Sequence, residues 1–216
     1  MQLFFDFVKR IVKELDIDES HGLQHSKGTL HYANYLMKHM PNITEEERHM
    51  AVVASIIHDL CDSKYTDIEV SSKKIKDWLV YEMYWIPEVA DALLSILQTM
   101  SYSKLKHKKD LLETPVFPDH GKWQRSYEIA RHADLLESYV VARCVLFNRH
   151  KFPEKTEDEH WQRAEEIFQQ RVFTYVENNW ITLPAALAII PLLEDNARNC
   201  LKERSMAWSF EKPIGT

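Results

Sequence analysis

Glycine is scarce. The 216-residue chain has four, at Gly22, Gly28, Gly121 and Gly215, where an ordinary composition has ~7%. Four glycines so placed cannot build G-x-G-x-x-G or G-x-x-x-x-G-K-[ST], so the common glycine-rich phosphate cradles are excluded. Cysteine is scarcer still. Cys61, Cys144 and Cys200 are odd in number, far apart and without a C-x-x-C pair. That excludes a disulfide scaffold and suits a reducing, cytoplasmic setting. Long apolar runs are missing too. The longest, Leu183 to Leu193, contains Pro184 and Pro191 and falls short of the ~18 residues of a membrane span. The opening run Met1 to Leu15 is broken by acids and lacks a small-residue cleavage site, so it reads as a helix rather than a signal peptide. Positive charge is in deficit, 27 Lys+Arg against 33 Asp+Glu for a net charge of −6. Long-range attraction to a nucleic-acid polymer or an anionic membrane is therefore not expected.

What is present is 45% hydrophobic and 28% charged, the balance of a globular protein with a sizeable core rather than a disordered chain. The length favours one domain over residues 1–216. Apolar residues recur with helical spacing nearly throughout. The pattern predicts helices over 2–15, from Ser20 or His21 to Met40, from a Thr44/Glu47 capping box to Leu60, and over 67–84, 87–100, 123–148, 157–179 and 184–204. Residues 101–121, with the basic run Lys104 to Lys109, read as a loop, and the tail from Ser205 as loose. The expected fold is all-α, a bundle of about seven or eight helices.

The segment Ala51 to Leu60 is apolar on every face until it reaches His58-Asp59. A helix apolar all round is buried, and an ionised carboxylate inside it needs a cation or a dense set of donors. A mutual hydrogen bond or a helix cap would also answer for this pair. His21 and His25, four apart, project from one helical face and can meet a single ion, or an ion and its bound anion. Two surface histidines in a chain with 11 is the plainer account. Asp134 lies in a row with Ala130, Val141 and Val145 that otherwise packs inward, so it needs a partner. Arg131 and Arg143 compete with a metal for that place. Together, two imidazoles and two carboxylates suit one divalent ion such as Mn, Fe, Ni, Co or Mg, with open positions left for water and substrate.

Spaced as His25, His58-Asp59 and Asp134, the chain resembles the HD-domain metal-dependent phosphohydrolase superfamily. Four stretches resemble, in order, its small uncharacterised-hydrolase branch: Asp18 to His25, His58 to Tyr65, Ile96 to Lys104 and Ala133 to Glu137. The likeness covers a motif-bearing core of about 15–150, with the helices of 155–204 packed on it. It implies an HD-type helical bundle with His25, His58, Asp59 and Asp134 as metal ligands. It places His21 and Asp62 in or beside the site, and Lys64 near a substrate phosphate. The chain departs from the branch at Gly28-Thr29, where an Arg-Val pair is usual and where Lys27 is the nearest replacement cation. It departs again at His132, where an acid is usual, and at Tyr139-Val140, where glycines are usual. The expected activity is hydrolysis of a phosphate ester or anhydride of a small compound, most naturally a nucleotide. Asp62 or His21 would take the proton from water, and Lys64, Lys104, Lys27 or Arg143 would offset charge on the phosphoryl group. A nucleotide-sensing module without turnover is the alternative. A di-iron oxygenase is a third reading, although the paired histidines it needs between Asp59 and Asp134 are missing and only His107 and His120 stand in the loop. The aromatic-rich C-terminal third reads as core and lid-like packing. A homodimer through it is compatible with the sequence and not required by it.

Overall fold

A computed structural model describes residues 1–18, 20–62, 66–103, 105 and 115–207. Among them there is no strand and there are nine α-helices. In chain order these are α1 Gln2–Glu14, α2 Leu23–Lys38, α3 Glu45–Ile57, α4 Ile68–Asp77, α5 Pro87–Leu97, α6 Gln124–Glu137, α7 Val141–Lys151, α8 Glu157–Gln170 and α9 Pro184–Glu203. The fold is all-α. No helix among the described residues is long and apolar enough to cross a membrane. The basic run Lys104 to Lys109, apart from Leu105, lies outside the described residues, as do Lys64 and the chain beyond residue 207.

Three helices form the centre. α2, α3 and α6 pack against one another more extensively than any other elements. Every residue of α3 from Met50 to Ile57 is buried, as its unbroken apolar run requires. Its start is held by Thr44, whose hydroxyl accepts from the Glu47 amide at 3.1 Å while the Glu47 carboxylate accepts from the Thr44 amide at 2.8 Å. Such a reciprocal cap contributes ~1 kcal/mol. At its other end α3 tightens into a single 3₁₀ turn, His58–Cys61, which aims His58 and Asp59 inward. α1 covers this assembly with Phe4, Phe7, Val8 and Ile11, and Phe7 stacks on Trp78 with centroids 3.9 Å apart.

Two expected long helices are interrupted. The span 123–148 breaks after Glu137. The Ser138 hydroxyl turns back onto the Leu135 carbonyl at 2.6 Å, and Val140 is extended, so the side chain competes for the helix's own acceptors. Consequently α7 doubles back beside α6, and Arg143 returns to the face that carries Asp134 and Glu137. The span 157–179 likewise ends at Gln170. Arg171 leaves the helix with φ −132° and a 3₁₀ turn, Val172–Thr174, follows. α2 begins later than Ser20 or His21. Gly22 occupies its cap position, and the Ser20 hydroxyl bonds the His21 ring instead.

His132 is a joint between α6 and α9. Its Nδ1 donates to the Glu128 carbonyl at 2.7 Å, so Nε2 carries the lone pair and accepts from the amides of Thr182 at 3.0 Å and Leu183 at 3.2 Å. Burial, reinforced by Arg131, holds this imidazole well below its ordinary pKa and keeps it neutral. The ring thus satisfies amides where α9 begins. His132→Leu is expected to orphan both amides and to lower unfolding stability by about 2–4 kcal/mol. His132→Gln, which can still accept, should recover part of that loss. Urea midpoints of the two variants check this, and equal midpoints would refute the joint.

Candidate metal centre

Side chains from α2, the 3₁₀ turn after α3, and α6 converge in the middle of the bundle. His25 Nε2 lies 2.9 Å from His58 Nε2. Asp59 reaches both rings, with Oδ2 at 3.1 Å from His25 Nε2 and Oδ1 at 3.4 Å from His58 Nε2. Asp134 Oδ1 is 3.6 Å from His25 Nε2 and 3.4 Å from His58 Nε2. The tightest set is His25, His58 and Asp134, whose donor atoms all lie within 4.8 Å of one another. Asp59 joins through its two oxygens, one toward each ring. Only the carboxylates are open to the outside. The Asp59 and Asp134 side chains are 11% and 15% exposed, whereas His25 is 0%, so anything entering does so on the acid side.

The rings' other nitrogens fix their tautomers. His58 Nδ1 faces the Ser55 carbonyl at 3.1 Å, and a carbonyl only accepts, so Nδ1 carries a proton. His25 Nδ1 faces Glu137 Oε2 at 2.8 Å. That oxygen is also bound by Arg143 Nη1 at 2.6 Å, so Glu137 is an ionised acceptor and His25 Nδ1 donates to it. Two neutral rings so held would point two Nε2 lone pairs at each other across 2.9 Å. That arrangement is repulsive unless a cation sits between them or beside them. Asp59 Oδ2 is buried and, among the described residues, meets no fixed donor other than the His25 ring at 3.1 Å, so it too favours positive charge at the same point. The residues therefore fit a divalent ion, held by nitrogens and oxygens of the type that Mn, Fe, Co and Ni accept.

The electrostatics agree. Burial and Arg143 push the His25 pKa down, but Glu137 and Asp59 outweigh them and raise it to about 9. In the absence of a metal, a proton takes the cation's place. Burial works to raise Asp59 and Asp134. The His58 and His25 rings outweigh it for both, and Arg143 adds to the effect on Asp134, so both acids stay well below the ordinary carboxylate range.

The second layer comes from two places. Arg143 donates through Nε to the Ser20 carbonyl at 2.7 Å and through Nη1 to Glu137, with Asp134 at 3.9 Å. Thr29 caps the His25 ring at 3.5 Å while bonding the His25 carbonyl at 3.1 Å. The Gly28-Thr29 departure thus places a hydroxyl, not a cation, against the ring. Arg131, the other partner considered for Asp134, goes elsewhere. It donates to the Trp180 carbonyl at 2.6 Å and lies 3.9 Å from the Phe117 ring centroid.

A cleft of about 60 Å³ opens at Asp59 and Asp134. His21 and Asp62 line it, together with Ser101, Ser103, Arg143 and Arg171. The His21 ring is held by Ser20 at 2.6 Å and lies 3.9 Å from Asp18. Lys27 does not reach the cleft. It is exposed and lies two residues from His25, about 200° around the helix, so it cannot stand in for a phosphate-binding cation. Lys64 and Lys104 fall outside the described residues. His120 is committed elsewhere, 3.0 Å from the Thr99 hydroxyl. Sequence reasoning gave no site role to Glu137, Ser20, Ser55 or Arg171. Only Glu137 carried a signal, being three residues beyond Asp134 on the same face. Comparison of the chain with protein-family models, with curated proteins and with solved structures finds no match.

Proposed function

We propose that the chain is a divalent-metal-dependent phosphohydrolase that cleaves a phosphate ester or anhydride of a small compound, most naturally a nucleotide. The observation that carries this reading is the meeting of His25 Nε2 and His58 Nε2 at 2.9 Å beside two carboxylates that line a cleft. The resemblance to the HD phosphohydrolases supports the choice of reaction. His25, His58, Asp59 and Asp134 would hold the ion. When bound, the ion acidifies water and offsets phosphoryl charge. The chain's own groups do the rest. His21 and Asp62, both lining the cleft, are the bases available to take the proton released as the water oxygen bonds to phosphorus. The bond from phosphorus to the leaving oxygen breaks, and that oxygen regains a proton. Arg143 fixes Glu137, and through it the His25 ring.

Phosphate and pyrophosphate release from a panel of nucleotides and sugar phosphates, tested with Mn²⁺, Co²⁺, Ni²⁺ and Mg²⁺ in turn, tests the proposal. Turnover of at least one compound, dependent on the added ion and abolished by chelation, is the expected result. Metal uptake and nucleotide binding without turnover of any compound would instead identify a sensing module.

A further inference from the structure

The cleft over the metal centre continues into a larger one of about 200 Å³. His21, Ser103, Ser138, Arg143 and Arg171 line both, so these residues form the junction. The outer cleft is walled by Phe147, Ile167 and Phe168, with Cys144 among them. Among the described residues no carboxylate or carboxamide lines it, and its walls are chiefly apolar.

Two guanidinium groups stand at the junction and they differ. Arg143 is committed through Nε and Nη1 to Ser20 and Glu137. Arg171 has Nε on the Tyr175 hydroxyl at 2.7 Å and lies 4.4 Å from the Tyr102 ring centroid. Among the described residues no carboxylate pairs with it. A half-buried guanidinium fixed by a hydroxyl and an aromatic face keeps its fork for an incoming anion. The break at the end of α8 is what brings it here.

We infer that Arg171 binds the phosphoryl group at this junction, and that the Phe147–Phe168 cleft holds an aromatic or apolar group esterified to that phosphate. This rests on the hydrolase reading and narrows it to phosphomonoesters whose leaving group is a flat, weakly polar alcohol or phenol.

The test titrates inorganic phosphate and phenylphosphonate, which cannot be hydrolysed at its carbon–phosphorus bond, into the full chain by calorimetry, with and without Mn²⁺. Phenylphosphonate should bind about tenfold tighter than phosphate, because its ring is buried in the cleft. Arg171→Gln should weaken both about 10- to 100-fold while Mn²⁺ content stays at the wild-type level. Phe147→Ala should erase the preference for the phenyl compound and leave phosphate affinity intact. Should Arg171→Gln fail to fold by circular dichroism, Arg171→Lys carries the same comparison with a smaller loss. Unchanged phosphate affinity in the Arg171 variant, with and without Mn²⁺, overturns the anion site. Equal affinities for the two probes in the wild type overturn the cleft assignment. Failure of the wild type to take up Mn²⁺ defeats the hydrolase reading instead, and phosphate binding that depends on Arg171 in the metal-free chain is then still expected.

Discussion

His58→Ala is expected to lose bound divalent ion by at least ~100-fold in affinity and to lose metal-dependent hydrolysis with it, while far-UV circular dichroism stays close to wild type. The outer-layer partners of a metal site are commonly worth 10- to 100-fold, about the least that a direct ligand should carry. His58 Nε2 lies within 3.4 Å of His25, Asp59 and Asp134, so its removal takes out the hub of the set. The helices do not depend on it. It sits in a short 3₁₀ turn after α3, whose own register is held by the Thr44 cap and eight consecutive buried residues. Thermal unfolding supplies a second readout. A ligand at 100 times its Kd stabilises the state it binds by ~2.7 kcal/mol. Mn²⁺ should therefore raise the wild-type midpoint by several degrees and leave the variant's unmoved. Equal metal content after dialysis in His58→Ala, with Asp59→Ala behaving the same way, would dismiss the centre.

The burial of the site residues was legible because it depends on periodicity. α3 is apolar on every face, so whatever lies at its end must be inside. Asp134 shares a stripe with residues that pack inward, so it needs a partner. Those two facts put His58, Asp59 and Asp134 inside; that they meet one another and His25, rather than His21 or an arginine, was implied by the resemblance and not by the periodicity. What periodicity does not contain is the return of the chain on itself. The break at Ser138–Val140 looks like continuous helix, because Val141 and Val145 keep the apolar stripe of α6 in phase. Only the competing Ser138 hydroxyl and the packing of α7 decide it. Arg143 on Glu137, and Arg171 at the cleft, follow from such returns and were out of reach for that reason. Lys27 failed in the opposite way. Its charge type was right, but its position around α2 sends it to solvent. His132 looked like a lost acid near the site, and its lone pair instead serves two amides fifty residues away. For Lys27 the charge was noted and its direction was not; His132 was noted only as a departure from the usual acid.

Glu137→Gln should produce the second large effect, and it separates the organisation of the centre from its mere packing. Glu137 is fully buried and bridges His25 Nδ1 at 2.8 Å and Arg143 Nη1 at 2.6 Å. An isosteric amide keeps the volume but removes the charge that balances Arg143, and breaking a buried pair from one side costs about 3–5 kcal/mol. Asp134, 3.9 Å from Arg143, compensates in part, which places the expected loss at the lower end of that range. The amide can also present its NH₂ to His25 Nδ1. That favours the other tautomer of His25 and takes the lone pair away from Nε2, so metal affinity should fall a further 10- to 100-fold. The double variant Glu137→Gln/Arg143→Leu distinguishes the two effects. Removing the stranded cation should restore most of the stability, since an apolar replacement for a buried pair is often close to neutral. It cannot restore the orientation of His25. Urea midpoints near wild type combined with persistently weak Mn²⁺ binding are therefore expected. Recovery of both together would mean that Glu137 serves the packing of α6 against α7 and leaves the His25 ring's proton position to other groups.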